Sequence, residues 1–232
     1  MQRSDRLANR VTKHRYGGAA QRLSALAIAA LSVVACTNNS NDNRDQSAHP
    51  TDSSAEVGFA RDMSVHHSQA VAMAEAIRDR TTDPELKLLA ADIALGQQNQ
   101  IGRMTGWLDE WGLPISSTNT PMVWMDDTTD ANSPDMGSMA MNSSPSATAA
   151  SMPGTATRPQ ISALGTLPID QAEISFLQLM IAHHRGGVQM AAAILARTQR
   201  PDVRLVANSI VKSQGSEIDL MTQMLARRSA KP

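Results

Sequence analysis

Four segments of the chain repeat apolar residues every three or four positions, the spacing that places them on one face of an α-helix. Asp83 precedes Pro84 at the start of the second segment, which suits an N-cap followed by a first-turn proline. Capping boxes are also predicted at Ser53–Glu56 and Asp170–Glu173. The pattern therefore predicts four helices, over residues 55–80, 84–111, 170–199 and 201–228.

The four segments form two copies of one unit. Residues 59–108 align with residues 176–225 without a gap when they are shifted by 117 positions. The identical pairs include Phe59 and Phe176, Met63 and Met180, Met73 and Met190, Pro84 and Pro201, Gln97 and Gln214, and Leu108 and Leu225. Short connections make each unit an antiparallel helical hairpin. Because one hairpin cannot bury both of its apolar faces, the two are predicted to close into an all-α four-helix bundle.

The bundle is predicted to occupy residues 55–228 as a single domain. Repeat one spans 55–111 and repeat two spans 169–228. The segment between them, 112–168, is rich in Gly, Pro, Ser, Thr and Asn, and with few apolar partners it is predicted to be mostly irregular.

The first helix of each hairpin carries a His-His pair bracketed by methionines. The stretch FARDMSVHHSQAVAM in repeat one corresponds to FLQLMIAHHRGGVQM in repeat two. At 100° per residue, His66 lies on the apolar stripe of its helix and His67 at the edge, and His183 and His184 repeat this arrangement. All four imidazoles are therefore predicted to face the interior of the bundle.

The second helix of each hairpin places polar residues within its apolar stripe. Gln97 and Gln100 occupy such positions, and Gln214 and Glu217 are their equivalents. A buried amide or carboxylate left unpaired costs about 1–3 kcal/mol. The His pairs are the natural partners, so Gln97, Gln214 and Glu217 are predicted to support the imidazoles and hold them in a metal-binding tautomer.

The repeated His and Met positions suggest a metal site. A buried His is more often a satisfied core residue, and Met at helical spacing is commonly core filler. Duplication of both favours ligation, with the candidate set His66, His67, His183, His184, Met63, Met73, Met180 and Met190. Imidazole suits zinc, copper, nickel and iron, thioether selects soft ions such as Cu(I), and Cu(II) heads the usual affinity order. Copper in either oxidation state, bound between the first and third helices, is the predicted ion.

The segment between the repeats adds six further methionines. Met136, Met139 and Met141, in the stretch MGSMAM, are candidates for an accessory copper site. A low-complexity linker that contains methionine is an equally good interpretation.

The N-terminus is predicted to be a targeting segment. Six Lys and Arg residues precede or border the apolar run 23–35, which has the length of a signal-peptide core and is short for a membrane span. The run ends at Cys36, the one cysteine of the chain, in a context that resembles a bacterial lipobox. Residues 1–35 are thus a predicted signal peptide, and residues 36–54 a disordered tether that begins with a lipidated Cys36. An ordinary secretory signal with an incidental cysteine is the alternative.

Charge and motifs argue against several classes of function. Beyond residue 35 the chain has six more acidic than basic residues, which disfavours nucleic-acid binding. No Glu-x-x-His occurs, so a di-iron carboxylate enzyme is disfavoured. The chain also lacks Gly-x-Ser-x-Gly and a Gly-rich phosphate loop before a helix. Gly186 and Gly187 are expected to permit close helix packing, and the protein is predicted to bind rather than to catalyse.

The stretches FLQLMIAHHRGGVQMA and SQGSEIDLMTQML resemble the family called domain of unknown function 305, and the resemblance extends over residues 55–228. Members are exported bacterial proteins, often lipoproteins, with a ferritin-like helical bundle. The resemblance therefore implies both export and that fold. Some members are similar to periplasmic copper-binding proteins, which implies that the His pairs and their flanking methionines capture a metal.

These features predict an exported lipoprotein on the extracytoplasmic side of the cell membrane. It would capture or buffer copper and pass the ion to a copper-handling partner protein. The alternative is a structural or interaction lipoprotein whose buried His/Gln network only specifies the helical core.

Overall fold

Helices are the regular elements of the part of the chain that the structure describes, residues 49–126 and 152–228 of a computed structural model. They are α1 (Ala55–Arg78), α2 (Pro84–Glu110), α3 (Arg158–Leu164), α4 (Ile169–Arg197) and α5 (Pro201–Arg227), with a 3-10 turn at Val123–Met125. No strand occurs in those two ranges. The predicted all-α fold is confirmed, and each of the four long helices begins and ends within two residues of its prediction.

Of the three N-terminal capping interactions predicted from the sequence, only the one at α2 is observed. There the Asp83 carboxylate accepts hydrogen bonds from the backbone amides of Glu85 and Leu86. At α1 the N-cap is Ser54, whose hydroxyl accepts from the backbone amide of Val57, so the capping box at Ser53–Glu56 is wrong. At α4 the helix starts directly after Pro168 without a side-chain cap, and the capping box at Asp170–Glu173 is also wrong.

The glutamates of the two failed capping boxes join the hairpins instead. Glu56 accepts a hydrogen bond from the Thr198 hydroxyl at 2.7 Å, and Glu173 accepts one from the Thr81 hydroxyl at 2.5 Å. The two contacts are equivalent under the repeat, and each runs from the start of one hairpin to the turn of the other. Arg228 pairs with Glu173 at 3.2 Å and reinforces the second contact. The duplication therefore produces a reciprocal clasp between the units.

Helices α1 and α2 pack together, α4 and α5 pack together, and contacts between α1 and α4 join the two hairpins. The buried apolar residues form two clusters. The Met73 cluster combines the C-terminal half of α1, the first half of α2, the first half of α4 and the end of α5, and it includes Met180. The Met63 cluster combines the opposite ends of the same helices and includes Met190. Because the C-terminal half of α1 packs with the N-terminal half of α4, the two helices are antiparallel.

Each long helix crosses from one cluster to the other through a short polar stretch. These stretches hold the two His pairs on α1 and α4, and Gln97, Gln100, Gln214 and Glu217 on α2 and α5. We call this set the polar layer. It lies where the apolar pattern is interrupted on all four helices, and it separates the two apolar clusters.

The segment between the repeats is more ordered than predicted at its two ends. Helix α3 was not predicted, and it begins with a capping box in which Thr157 and Gln160 bond each other's backbone amides. The 3-10 turn is held to α1 because the buried Asp62 carboxylate accepts from the Trp124 ring at 2.9 Å and the Met122 amide at 2.7 Å. The lipidation candidate Cys36, the signal segment 1–35 and the accessory candidates Met136, Met139 and Met141 lie outside the described residues.

Among the helices of the described ranges, none combines the length and the apolar character that crossing a bilayer requires.

Candidate metal centre

The four paired histidines are buried at the centre of the bundle. His66 and His67 on α1 and His183 and His184 on α4 have no solvent-exposed surface. The rings of His66 and His183 stack across the helix contact, with centroids 3.7 Å apart and planes inclined by 31°. Each of these rings lies 6.3 Å from the ring of its chain neighbour. The predicted inward orientation is therefore observed, including for His67, which the helical projection placed at the edge of the stripe.

Each of the four imidazoles points its Nε2 atom at an oxygen. The outer rings bond side chains of the second helices: His67 contacts Gln100 Oε1 at 2.7 Å, and His184 contacts Glu217 Oε2 at 2.5 Å. The stacked rings bond backbone carbonyls. His183 contacts the carbonyl of His66 at 2.9 Å, and His66 contacts that of Pro153 at 3.1 Å.

These bonds determine the tautomer of the rings. Carbonyl and carboxylate oxygens only accept, so each Nε2 carries the proton and donates it. In a neutral ring the other nitrogen, Nδ1, then keeps its lone pair. All four Nδ1 atoms are buried, and none has a hydrogen-bond partner in the ranges that the structure describes. A bare imidazole nitrogen whose opposite N–H is fixed by an oxygen is the usual arrangement of a metal-binding histidine.

Burial also keeps His66, His67 and His183 neutral. Desolvation lowers the pKa of His66 to about 4 and that of His67 to about 3, with the charge of neighbouring imidazoles acting in the same direction. Burial and the same neighbours lower the pKa of His183 well below its ordinary value. At neutral pH these Nδ1 lone pairs are therefore available to a cation without loss of a proton.

The four candidate methionines are fully buried and lie in two pairs. Met73 of α1 and Met180 of α4 belong to one apolar cluster, whereas Met63 of α1 and Met190 of α4 belong to the other. The two pairs thus border the polar layer from opposite sides. Thioether sulfur is a soft ligand. The structure brings α1 and α4 sulfur atoms into the same cluster on each side, but it does not place all four at one point.

Of the three residues predicted to support the imidazoles, only Glu217 hydrogen-bonds one of them among the described residues. Gln97 and Gln214 do not bond an imidazole, since neither amide has a hydrogen-bond partner among the described residues. Gln100, which lies in the same stripe, holds His67 in the place where Glu217 holds His184. The repeat itself contained the missing signal, because Gln100 and Glu217 are equivalent positions and each lies 33 residues beyond its histidine.

A backbone segment that no sequence motif indicates also contributes to the centre. The turn at Pro153 and Gly154 lies on α4 so closely that a Cβ on Gly186 would approach the Pro153 oxygen to 1.8 Å. Gly154 itself has φ +75° and leaves no room for a side chain above the Ala182 carbonyl. The Gln69 amide fixes the segment by bonding the Ala156 amide and carbonyl at 2.6 and 3.0 Å. This seating presents the Pro153 carbonyl to His66.

The donor set fits a soft cation better than a hard one. Within the described ranges no group of three or more His, Cys, Asp or Glu side chains is arranged to hold a metal ion. The available donors are instead the stacked imidazoles of His66 and His183 with those of their chain neighbours, and the apolar cluster on each side contributes two of the candidate methionines. Neutral nitrogen and sulfur donors without carboxylates favour copper over magnesium or calcium.

Fold and site together define a helical bundle protein whose core is divided by a layer of buried imidazoles. The model of the family described as domain of unknown function (DUF305) matches residues 56–225, and the chain belongs to that family. The family membership predicted from the sequence resemblance is thereby confirmed.

Solved structures of similar proteins share the fold. A DUF305 protein of Streptomyces coelicolor, described as secreted, is 46% identical with a TM-score of 0.66, covering 78% of this chain and 98% of its own. A DUF305 fragment of Deinococcus radiodurans is 32% identical with a TM-score of 0.58, covering 75% and 96%. CopM in its Cu(I)-bound form is 26% identical with a TM-score of 0.52, covering 74% and 96%.

A curated relative matches over a shorter stretch. Uncharacterized protein L153 of Acanthamoeba polyphaga mimivirus is 46% identical over 52 residues, which are 22% of this chain. The chain spans about a third of that relative's length, 34%.

Proposed function

We propose that the protein captures copper in the extracytoplasmic space, through His66, His67, His183 and His184 with the flanking methionines Met63, Met73, Met180 and Met190. The observation that carries the proposal is the set of four buried Nδ1 atoms that have no hydrogen-bond partner in the described part of the chain. A buried acceptor without a partner is costly, and a bound cation removes that cost. The likeness to CopM, solved with Cu(I) and with Cu(II), supports copper as the ion.

The chain's own residues have distinct tasks in this proposal. The oxygens of Gln100, Glu217 and the Pro153 backbone hold the Nε2 protons, which fixes the rings with Nδ1 free. The Met63 and Met73 clusters exclude water from both sides of the layer. A soft ion that gives up its water is then compensated by imidazole and thioether donors. These tasks are those of binding and buffering, and we propose no catalytic step.

Metal binding to purified protein tests the proposal. Residues 49–232 are dialysed against Cu(I) under a reductant and against Cu(II) in air, and bound copper is measured by mass spectrometry. The variant with His66, His67, His183 and His184 changed to Ala is expected to retain helical circular dichroism and to lose retained copper. The matched control is His49→Ala, since His49 is exposed and lies before α1. Equal retention by the parent and the quadruple variant would show that these imidazoles are not the ligands.

A structural role is the second candidate, and one observation favours it. The His183 ring bonds the backbone of α1, so the stacked rings contribute to the contact between the two hairpins even without a metal. On this alternative the polar layer only fixes how α1 and α4 pair. The parent would then retain no copper after dialysis, while the four-His variant would lose stability and become less uniquely folded.

We further propose that Cys36 is lipidated and attaches the bundle to the outer face of the cell membrane. The support is the lipobox-like sequence before Cys36 and the likeness to a DUF305 protein described as secreted. The full chain expressed in a bacterial host is expected to incorporate labelled palmitate and to fractionate with membranes. Cys36→Ser is expected to abolish the label, and a label that persists in this variant would contradict the proposal.

A further inference from the structure

A cleft of about 280 Å³ opens between α2 and α5. The two helices come from different hairpins, and the cleft lies over the polar layer rather than over either apolar cluster. We call it the α2–α5 cleft, and its polar lining includes Asp92, Gln97, Gln100, Arg103, Gln214 and Glu217.

Two buried amides at this cleft lack partners. Gln97 and Gln214 are only 4% and 1% exposed, and neither the oxygen nor the nitrogen of either amide has a hydrogen-bond partner among the described residues. Burying such groups unpaired is unfavourable, and native proteins seldom do so without a reason. The two residues are equivalent under the repeat, so the same anomaly occurs twice on facing walls of one cleft.

The amide of Gln214 lies against the neighbouring helix α4 at Gly187. Its oxygen lies 2.4 Å from the position that a Cβ on Gly187 would occupy. Any larger residue at 187 would therefore displace the amide from α4, one helical turn beyond His183 and His184. Gly187 serves this side chain, whereas Gly186 makes room for the Pro153 turn, so the two glycines predicted to allow close packing do so for different neighbours.

The same cleft touches the residues that hold the outer imidazoles. Gln100 and Glu217 line it, and they are the hydrogen-bond partners of His67 and His184. Because all four imidazoles are fully buried, an ion can reach them only through an opening in the bundle. The cleft reaches the two residues that hold the outer rings, and among its described lining residues the carboxylates of Asp92 and Glu217 outnumber the one Arg, which favours a cation.

We propose that the α2–α5 cleft is the passage by which the metal ion enters and leaves, with the amide oxygens of Gln97 and Gln214 as intermediate ligands. This inference rests on the proposed copper function. An incoming hydrated ion is bound by oxygen, so amide oxygens can replace its water one for one before nitrogen and sulfur take over. Amide oxygen is a weak ligand for copper. It therefore releases the ion to the imidazoles, as passage rather than storage requires.

Stopped-flow kinetics test this passage. Cu(II) is mixed with the metal-free protein, and its arrival is followed by quenching of the fluorescence of Trp107 and Trp111. The variant with Gln97→Leu and Gln214→Leu is expected to load at least tenfold more slowly than the parent, with an equilibrium affinity within about threefold. The leucines remove two unpaired amides, so the thermal unfolding temperature is expected to rise. Unchanged loading kinetics would overturn the proposal.

A second pair of variants keeps the test independent of core substitutions. Ser213 lines the cleft, whereas Ser216 lies on the exposed face of the same helix. Ser213→Phe is expected to slow loading by narrowing the cleft, and Ser216→Phe is expected to load like the parent. Equal rates in these two variants would also overturn the passage. If the parent itself takes up no Cu(II) or Cu(I) at equilibrium, the proposed function fails and not merely the route.

Discussion

Acidification should destabilise this protein, because its buried imidazoles bind protons more weakly in the folded chain than in the unfolded chain. The pKa of His66 is lowered to about 4 and that of His67 to about 3 from an ordinary value of 6.5, mainly by burial. In the unfolded chain both groups titrate near 6.5 and bind protons more readily than in the folded chain. Stability is therefore complete above about pH 6.5 and is lost as the pH falls from there toward 4.

The size of the loss follows from linkage. At pH 5 a histidine that titrates at 6.5 unfolded and at 4 or below folded costs about 2 kcal/mol relative to pH 7.5. His66 and His67 together cost about 4 kcal/mol, and His183 acts in the same direction. A domain of this size is stable by only about 5–15 kcal/mol, so metal-free protein at pH 5 should have lost a substantial share of its stability.

Urea unfolding of metal-free protein, followed by circular dichroism at pH 7.5, 6.0 and 5.0, measures this loss. His66→Leu with His67→Leu removes two of the titrating groups and should reduce the fall in unfolding free energy between pH 7.5 and 5 by about 4 kcal/mol. His49→Ala removes an exposed histidine and should leave the fall unchanged. If the parent and the double variant lose the same unfolding free energy between pH 7.5 and 5, protonation of these buried rings is not the cause of the acid destabilisation.

Four further substitutions, one of them a matched control, test particular contacts by the same unfolding measurement or by metal binding. Gly186→Ala should destabilise by about 1–3 kcal/mol, because its Cβ meets a carbonyl at 1.8 Å, whereas Gly215→Ala has open space and should stabilise by about 0.5–1 kcal/mol; equal effects would contradict the seating of the Pro153 turn. Thr81→Val should lower the free energy of unfolding by about 1–3 kcal/mol, because an oxygen of the buried Glu173 loses its donor. An unchanged free energy of unfolding would show that this contact between the hairpins does not stabilise the fold. Glu217→Gln should keep the fold but weaken copper binding about tenfold, since a carboxylate raises the basicity of the imidazole it holds; undiminished affinity in a competition titration would exclude this role.

The fold could be predicted because the sequence contains two copies of the same helical hairpin. A gap-free repeat with helical periodicity defined two hairpins, and the need to bury both apolar faces required them to pair. The same argument placed the His pairs inside, since His66 and His183 share the stripe with residues that must be buried. Burial of His67 was less evident, because a helical projection places it at an edge that the neighbouring helix then covers.

The details of the site depend on geometry that residue identity does not carry. Gln97 and Gln100 lie in one stripe, and side-chain reach and rotamer decide that only Gln100 meets His67. The carbonyl of Pro153 carries no sequence signal of its own, although Gly154 and Gly186 record the close approach that positions it. Capping failed at Glu173 for a similar reason, since a residue suited to a capping box found a better partner in the other hairpin.

NMR spectroscopy can observe directly whether the Nδ1 atoms of the four buried histidines are unprotonated and bind the metal ion. Long-range ¹H–¹⁵N correlation spectra of ¹⁵N-labelled protein, recorded before and after addition of diamagnetic Cu(I), distinguish Nδ1 from Nε2 in each ring. We expect a protonated Nε2 and a bare Nδ1 in each of the four rings of the metal-free protein, His66, His67, His183 and His184. On addition of Cu(I) the Nδ1 resonances should shift while Nε2 stays protonated. Rings protonated at Nδ1, or Nδ1 resonances that do not respond to Cu(I), would contradict this expectation.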